Sequence, residues 1–462
     1  MLTILILFLT GLCTMFASFL PYKQLPKYLG IVGIITALVT LQLRLGLGLD
    51  FPTFFTMFPL TRIISVVALC LLLIIFIVHR EYEEDYDWSA VYSLMLFSTC
   101  GVILLFGQRN LLTLFLGIEI MSIPLYVLAA SKRNHAVSLE AGLKYFILGS
   151  FASAFLLFGI ALVYGSTGSF ILDEIMSVQE RHAGQLPAYF HVGYIFIIIS
   201  ILFKMAVAPF HFWSPDVYDG SPTVVTTFMT TIVKLGSSIT MYFLLAGFFK
   251  SQFENYSKFL LPIIAVSFLI GAILGLVQNN IKRMLAYSSI SHIAFVLVAI
   301  ILSVAMNDQG VFIFYLMTYT TASLLVFLIL DYLEQGNSVF LDHLNGLSKR
   351  QPILAVALAI GILSMAGIPF TGGFIAKYRV LMGLYQLNVW IFAIGLVSSA
   401  IAIGYYLKTL NRIFFYENNQ ENVAIKNILL VTITSILGLV IIILGIFPEL
   451  ILQAIHAFFV AR

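Results

Sequence analysis

The stretch IISILFKMAVAPFHFWSPDVYDGSPTVVTTFMTTIVK, residues Ile198–Lys234, contains the features that decide the fold. It begins as an apolar helix that carries Lys204, breaks at Pro209, crosses a polar run and resumes as a helix that holds Lys234. A break in a membrane segment frees backbone groups that protein or water must satisfy. An ammonium at membrane depth costs roughly 3 kcal/mol or more without a partner or water. A segment with both features predicts an ion pathway.

The composition is typical of a membrane protein with many spans. Of the 462 residues, 61% are apolar and 10% are charged, whereas soluble domains carry about 25% charged residues. The net charge of +3 gives no indication of nucleic-acid binding. The three cysteines form no CxxC pair, so we expect no metal site and no cysteine-ligated iron–sulfur cluster. No glycine-rich phosphate-binding motif is present, and we expect no cofactor in this chain.

Apolar runs of about 20 residues predict an all-α integral membrane protein with about fourteen spanning helices. The amino-terminal run lacks a basic n-region and is interpreted as a retained first helix. The approximate bounds of the predicted helices 1 to 14 are 2–20, 27–46, 60–79, 88–107, 109–130, 138–164, 191–209, 222–249, 257–278, 281–304, 309–334, 353–383, 387–413 and 426–447.

Lysine and arginine are distributed unevenly between the connections. Twelve follow odd-numbered helices and six follow even-numbered ones. Because cytoplasmic connections carry the excess of positive charge, the odd side is predicted to be cytoplasmic. Both termini are then predicted to face outward.

Three short motifs recur at similar spacing, which indicates an internal repeat. The pairs are MAVAPF (205–210) with MAGIPF (365–370), QRN (108–110) with QNN (278–280), and the serine pairs 237–238 and 398–399. The first pair places a break in predicted helix 7 and another in predicted helix 12. An offset of five helices is odd, so the second copy is predicted to enter the membrane from the opposite side.

The repeat predicts two inverted five-helix units, helices 4–8 and 9–13, a design that recurs in transporters with the ion site near the break. We expect residues 1–80 to form three N-terminal helices and residues 88–249 to form the first half-channel. Residues 257–413 would form the second half-channel, and residues 426–462 a C-terminal helix and tail.

Charged residues deep in the helices are the strongest candidates for a site. Glu119 lies about ten residues, hence roughly 15 Å, from either end of its predicted helix. Burial disfavours the ammonium of Lys204, and a nearby carboxylate would favour it. We therefore predict that Glu119 and Lys204 form a switchable ion pair, with Lys234 as the next proton carrier. A purely structural ion pair is the alternative.

Lys377 follows the second break and is predicted to carry protons in the second half-channel. Gly372 and Gly373 would permit an irregular, hydrated backbone there. Arg379 is nearby, and the alternative is that both residues only anchor the helix end.

Four further residues are weaker candidates for proton transfer. Glu140 and Lys144 share a helix face and could form an interfacial pair, or link Lys204 to a neighbouring subunit. His292 is accompanied by Tyr287, Ser288, Ser289 and Ser291, which favours a hydrated position between the two halves over simple packing. His211 lies at the first break and could be at the surface.

Other charged residues are assigned to solvated interfacial positions and not to transport. They are Lys282, Arg283, Asp216, Asp219 and the run Glu81–Asp87.

The chain from predicted helix 4 onward resembles a known family. The segment Ser138–Phe170, with GIEIMSIPLYVLAA before it and KMAVAPFHFWSPDVYDGSPT after it, is similar to subunit N of bacterial complex I, the proton-pumping NADH:quinone oxidoreductase. Subunit N is related to the antiporter-like subunits L and M and to Mrp-type cation/proton antiporter subunits. The family fold has fourteen helices, two inverted five-helix repeats and broken helices 7 and 12.

The resemblance implies roles for individual residues. Glu119 matches the glutamate of helix 5, Lys204 the lysine of helix 7, Lys234 the lysine of helix 8, and Lys377 the charged residue of helix 12. Glu140, Lys144 and His292 also match family positions. A lysine at position 377 resembles subunit N, because subunit M has a glutamate there.

The resemblance also implies a place in an assembly. NADH, FMN, the iron–sulfur clusters and quinone would be bound by other subunits, and this chain would move protons through coupled charges. Its partners would be subunit M, the small membrane subunits K, J, A and H, and the lipid bilayer. An Mrp-type antiporter subunit without a redox partner is the alternative, and a structural scaffold would not explain the buried charges.

Overall fold

Long apolar runs of this chain form helices, because a helix satisfies its own backbone hydrogen bonds where lipid offers none. A computed structural model describes residues 1–43, 52–81, 86–182, 185–248, 253–306, 308–334, 340–416 and 427–453. The charged residues Arg44, Lys250 and Lys426, and residues 82–85 of the acidic run, lie outside these ranges.

The α-helices are α1 (Leu2–Phe16), α2 (Leu25–Gln42), α3 (Pro59–Val78), α4 (Trp88–Phe106), α5 (Leu111–Ala129), α6 (Ala136–Thr167), α7 (Leu172–Arg181), α8 (Ala188–Met205), α9 (Trp213–Gly220), α10 (Thr223–Phe228), α11 (Lys234–Phe243), α12 (Phe253–Leu276), α13 (Ile281–Met306), α14 (Gln309–Glu334), α15 (Leu347–Arg350), α16 (Pro352–Ala366), α17 (Gly372–Leu387), α18 (Val389–Phe415) and α19 (Ile428–Ile446). A π-helical turn, Met229–Val233, joins α10 to α11, and a second, Leu244–Phe248, follows α11.

The prediction of an all-α membrane protein is confirmed. In the described ranges, thirteen helical segments are long and apolar enough to span a membrane. Predicted helix 12 (353–383) is not among them, because it is divided into α16 and α17 at the second break. The short helix α7 lies in the predicted connection between helices 6 and 7. It was missed because it is charged at both ends and has no long apolar run.

Each break contains a residue with a strained backbone. Ala206 directly follows α8 with φ 61°, and Phe370 lies just before α17 with φ 70°. No other non-glycine residue of the described ranges has positive φ. Side chains disfavour this region, and residues held there cluster at functional sites. Both predicted breaks are therefore present, each with backbone strain.

Contacts between residues divide the chain into two units. The first comprises Met1–Met205 and Gly220–Phe253, and helices α4, α5, α6 and α8 form its core around the first group of candidates. The second comprises Ala206–Asp219 and Glu254–Arg462, with a core of α13, α14, α16, α17 and α19. The predicted four-part division of the chain stays a prediction.

The two units contain matching local structures, which supports the predicted repeat. Asn110 forms an isolated antiparallel bridge with Ile171, and Asn280 forms one with Phe340. Each asparagine also caps the following helix, since its Oδ1 accepts a backbone N–H at 2.8 Å and 2.9 Å, respectively. Asparagine is a preferred N-cap residue. The resemblance of QRN to QNN therefore has a structural cause.

Candidate functional site

Lys204 is buried in the last turn of α8, at the edge of the first break. Its side chain is 2% exposed, and its Nζ donates a hydrogen bond to Tyr126 Oη at 2.9 Å. The ammonium also lies 5.2 Å from the centre of the Tyr126 ring and 5.7 Å from that of Phe203. Helix C-termini and aromatic faces both favour a cation. The site therefore holds an ammonium without a carboxylate in direct contact.

Glu119 and Lys204, predicted to form a switchable ion pair, are not in direct contact in this structure. Glu119 is half-buried in the middle of α5, and its Oε1 accepts a hydrogen bond from Ser153 Oγ. Its carboxylate is near enough to act electrostatically on Lys204, but it is not among the ion pairs of the described residues. The direct contact of the lysine is instead with Tyr126, which lies two turns further along α5.

Lys234 is buried at the start of α11, directly after a π-helical turn. It is 2% exposed, and buried hydroxyls precede and follow it at Thr230, Thr231, Ser237 and Ser238. Single π-helical turns occur frequently at functional sites. The structure thus places Lys234 in a polar, buried part of the first unit.

Lys377 binds the end of the half-helix before the second break. Its Nζ donates to the carbonyls of Met365 at 2.8 Å and Ala366 at 3.2 Å, which are the last residues of α16. The side chain is 7% exposed, and its Nζ lies 5.5 Å from the centre of the Phe295 ring. Carbonyls at a helix C-terminus lack helical donors and carry partial negative charge. They stabilise the buried ammonium.

The expected role of Gly372 and Gly373 is corrected by the structure. Both residues belong to the first turn of α17 and are helical. A Cβ at Gly373 would lie 1.9 Å from the carbonyl oxygen of Ser364, which belongs to α16. Gly373 is therefore required because the two half-helices approach closely. The irregular backbone lies before it, between Ala366 and Gly372.

His292 is held between two tyrosine hydroxyls in the second unit. One ring nitrogen, Nδ1, is 2.9 Å from Tyr315 Oη, and Nε2 is 3.2 Å from Tyr406 Oη. Tyr406 also hydrogen-bonds with Ser288, one of the neighbouring serines. His292 is 5% exposed. The structure therefore gives His292 a buried position with tyrosine partners, and its predicted hydration stays a prediction.

A small cavity adjoins this histidine. It has a volume of about 10 Å³ and is lined by His292, Tyr315, Tyr319 and Ser364, among others. This is close to the minimum space for one water molecule, and its walls offer several polar partners. The cavity also borders Ala376, which directly precedes Lys377.

His211 is buried, contrary to the expectation that it could lie at the surface. It is 3% exposed, and its ring stacks on that of Phe212 with centroids 4.6 Å apart. Its backbone carbonyl accepts from the N–H of Ser214 as the chain turns into α9.

Glu140 and Lys144 form the predicted ion pair on α6. Lys144 Nζ lies 2.6 Å from Glu140 Oε1, and the side chains are 42% and 61% exposed, respectively. Exposed pairs contribute little to stability. The pair lies on the outward face of α6, and in this chain the lysine contacts Glu140.

One charged residue assigned to a solvated position, Lys282, is buried. Lys282 Nζ lies 3.1 Å from Glu334 Oε1, and the side chains are 1% and 6% exposed. Arg283 binds Asp216 at 2.7 Å and lies 3.8 Å from Asp219, and its side chain remains 32% exposed. The position of Lys282 near a helix end suggested solvent, but packing of α13 against α14 covers it.

The residues that the sequence interpretation missed are mainly hydroxyl partners. Tyr126, Ser153, Tyr315 and Tyr406 contact the predicted charged residues or His292, yet none of them is a charged residue type. The sequence shows each of them only as a tyrosine or serine in an otherwise apolar helix, which is weak evidence for a functional residue.

Comparison with known proteins identifies the family of this chain. Residues 108–403 match the family model described as NADH:quinone oxidoreductase/Mrp antiporter, TM. NADH-quinone oxidoreductase subunit N of Flavobacterium psychrophilum is 36% identical over 84% of this chain and 85% of the relative.

Solved structures share the fold. A chain of respiratory complex I from Thermus thermophilus with bound aureothin has 30% identity and a TM-score of 0.81, covering 98% of both chains. A chain of the Mrp complex from Dietzia sp. has 20% identity and a TM-score of 0.82, covering 98% of this chain and 95% of that one. This chain therefore belongs to the NADH:quinone oxidoreductase/Mrp antiporter transmembrane family, among its subunit N members.

Proposed function

We propose that this chain is a proton-translocating subunit in the membrane arm of a respiratory NADH-quinone oxidoreductase. The observation that carries the proposal is the burial of Lys204, Lys234 and Lys377, which are 2%, 2% and 7% exposed. Two of the three lie beside a helix break with strained backbone. Ionisable residues at membrane depth are rare, and they mark proton relays and ion pathways.

Four residues are proposed as the main proton carriers. Glu119 and Lys204 act at the first break, Lys234 receives protons from that site, and Lys377 acts at the second break. His292, with its tyrosine partners, is proposed to transfer protons within the second unit. His211, Glu140 and Lys144 have lesser roles in this proposal, since the last two are exposed and His211 makes no ion pair among the described residues.

The redox chemistry is proposed to occur outside this chain. NADH, FMN, iron–sulfur clusters and quinone belong to other subunits, and subunit N relatives carry the name of that enzyme. The proposed partners are antiporter-like subunit M and the small subunits K, J, A and H. We propose the bacterial inner membrane as the location, with both termini on the periplasmic side.

An Mrp-type cation/proton antiporter subunit remains the second candidate. Its support is the shared fold with the Mrp complex from Dietzia sp. at 20% identity. The higher identity to subunit N relatives, 36% for the protein of Flavobacterium psychrophilum, favours the redox-linked enzyme.

The variants Lys204→Ala and Glu119→Ala test the proposal in the assembled enzyme. We expect NADH-driven acidification of inverted vesicles to fall about tenfold in each, which equals about 1.4 kcal/mol of barrier. Lys258→Ala is the matched control, because this lysine is 67% exposed and pairs with Glu254 on the surface of α12. Undiminished pumping in both variants, in vesicles with normal enzyme content, would defeat the proposed pathway.

A further inference from the structure

Tyr126 is the hydrogen-bond partner of Lys204 on the helix that also carries Glu119. Its side chain is 7% exposed. Its hydroxyl oxygen accepts the hydrogen bond from Lys204 Nζ at 2.9 Å. An oxygen that accepts from an ammonium still has its own proton to donate.

Ser153 supplies a second hydroxyl on the other side of Tyr126. Its Oγ donates to Oε1 of Glu119, and it lies one helical turn along α6 from Gly149, the residue that faces the Tyr126 hydroxyl. The polar groups therefore follow the order Lys204, Tyr126, Ser153, Glu119. In both hydrogen bonds the donor is on the ammonium side, since Lys204 donates to Tyr126 and Ser153 donates to Glu119.

The packing around Tyr126 holds its hydroxyl in this position. The ring of Tyr145 meets it edge-on with centroids 4.9 Å apart, and that of Phe146 lies 5.8 Å away. A Cβ at Gly149 would lie 2.2 Å from Tyr126 Oη, so only glycine leaves room for the hydroxyl. Tyr145, Phe146 and Gly149 of α6 therefore hold the side chain of Tyr126 in place.

We propose that the hydroxyls of Tyr126 and Ser153 relay a proton between Lys204 and Glu119, a role that rests on the proton-translocating function proposed above. The Lys204 ammonium gives a proton to the Tyr126 oxygen as the Tyr126 proton passes to Ser153. The Ser153 proton passes to the carboxylate of Glu119. The products are a neutral amine and a carboxylic acid, both hydroxyls are restored, and the reverse sequence returns the ion pair.

The relay explains how the two charges communicate without direct contact. Transfer neutralises both groups together, which avoids leaving one unpaired charge in a medium of low dielectric constant. A cavity of about 620 Å³ extends from Lys132, Arg133 and His135 to Tyr126, so solvent space approaches the relay from one end of the first unit.

The test compares Tyr126→Phe with Tyr145→Phe in the intact enzyme. Both changes remove a phenolic hydroxyl from the same aromatic cluster, but only the first interrupts the order from Lys204 to Glu119. We expect NADH-driven pumping to fall about tenfold in Tyr126→Phe, with normal pumping in Tyr145→Phe. Ser153→Ala should lower pumping to a similar extent. It replaces Tyr126→Phe as the test variant if the Tyr126→Phe enzyme does not assemble.

A spectroscopic measurement separates a relay from a structural role. Infrared difference spectra during turnover should contain a carboxylic acid C=O band that is absent in Glu119→Gln. The relay predicts that this band also disappears in Tyr126→Phe and persists in Tyr145→Phe. If the band persists in Tyr126→Phe and pumping is normal, the relay is wrong although Glu119 and Lys204 can still carry protons. If Glu119→Ala and Lys204→Ala also pump normally, the function proposed for this site fails as well.

Discussion

The buried lysines of this protein are stabilised by different kinds of partner. Lys204 binds a tyrosine hydroxyl, Lys377 binds two helix-end carbonyls, and Lys282 binds a carboxylate. A hydroxyl or a carbonyl accepts from an ammonium but cannot neutralise it, whereas a carboxylate can. Lys204 and Lys377, both proposed for transport, have neutral acceptors in direct contact, whereas Lys282 of the buried ion pair contacts a carboxylate.

The ion pair of Lys282 and Glu334 is therefore predicted to be structural. Lys282→Met leaves a carboxylate that is 6% exposed without its lysine, and breaking a buried pair costs about 3–5 kcal/mol. The thermal stability of the purified enzyme should fall, and the double variant Lys282→Met/Glu334→Leu should recover most of it. Additive losses in the double variant would contradict this account. Equal thermal stability of Lys282→Met and the parent enzyme would also contradict a structural role for the pair.

At the scale of elements, the second break depends on the close approach of α16 and α17. The carbonyls at the end of α16 bind Lys377 of α17, and the Gly373 N–H donates to Ser364 Oγ at 3.2 Å. The close packing of the two half-helices thus fixes both the side chain of Lys377 and the backbone at the break. In the first unit, α6 packs just as closely against α5, because Gly149 leaves room for the Tyr126 hydroxyl.

Gly373→Ala should separate the two half-helices. Its Cβ would lie 1.9 Å from the Ser364 carbonyl oxygen, which the backbone can relieve only by moving. Overpacking typically costs about 1–3 kcal/mol. Gly438→Ala is the control, because its Cβ would find its nearest neighbour at 3.5 Å, on Ile360. The melting temperature of the enzyme should fall for the first variant only, and equal melting of both would refute the packing argument.

At the scale of the whole molecule, candidate proton carriers occur in both units. Glu119, Lys204 and Lys234 belong to the first unit, and His292 and Lys377 belong to the second. The break segment Ala206–Asp219 begins two residues after Lys204 and belongs to the second unit, where Asp219 accepts from Asn280 Nδ2 at 2.6 Å.

The native assembly decides between the two candidate functions of the molecule. We expect a tagged version of this chain to copurify with flavin and iron–sulfur subunits in gentle detergent, because its relatives are subunits of NADH-quinone oxidoreductase. An unrelated multi-pass protein with the same tag is the control. Recovery with cation/proton antiporter subunits and without flavin would support the Mrp-type alternative and contradict the redox-linked function.

The sequence alone determined the all-α membrane class, both helix breaks and the buried lysines at or near them. These features have local causes. A charge or a proline in an apolar membrane run is energetically unfavourable whichever neighbour the helix packs against. The repeated motif that contains Asn110 and Asn280 was also visible in the sequence, although their capping of α5 and α13 was not predicted. The division of predicted helix 12 at Ala366 followed from the same reasoning about its break.

Only the tertiary structure decided which groups the buried charges contact. Lys204 and Tyr126 are 78 residues apart, Lys282 and Glu334 are 52 apart, and His292 and Tyr406 are 114 apart. Helices that are apolar on nearly every face do not reveal which side packs against which neighbour. The pairing of Lys204 with a tyrosine instead of Glu119 therefore followed from how α5, α6 and α8 pack together, and no local pattern contained it.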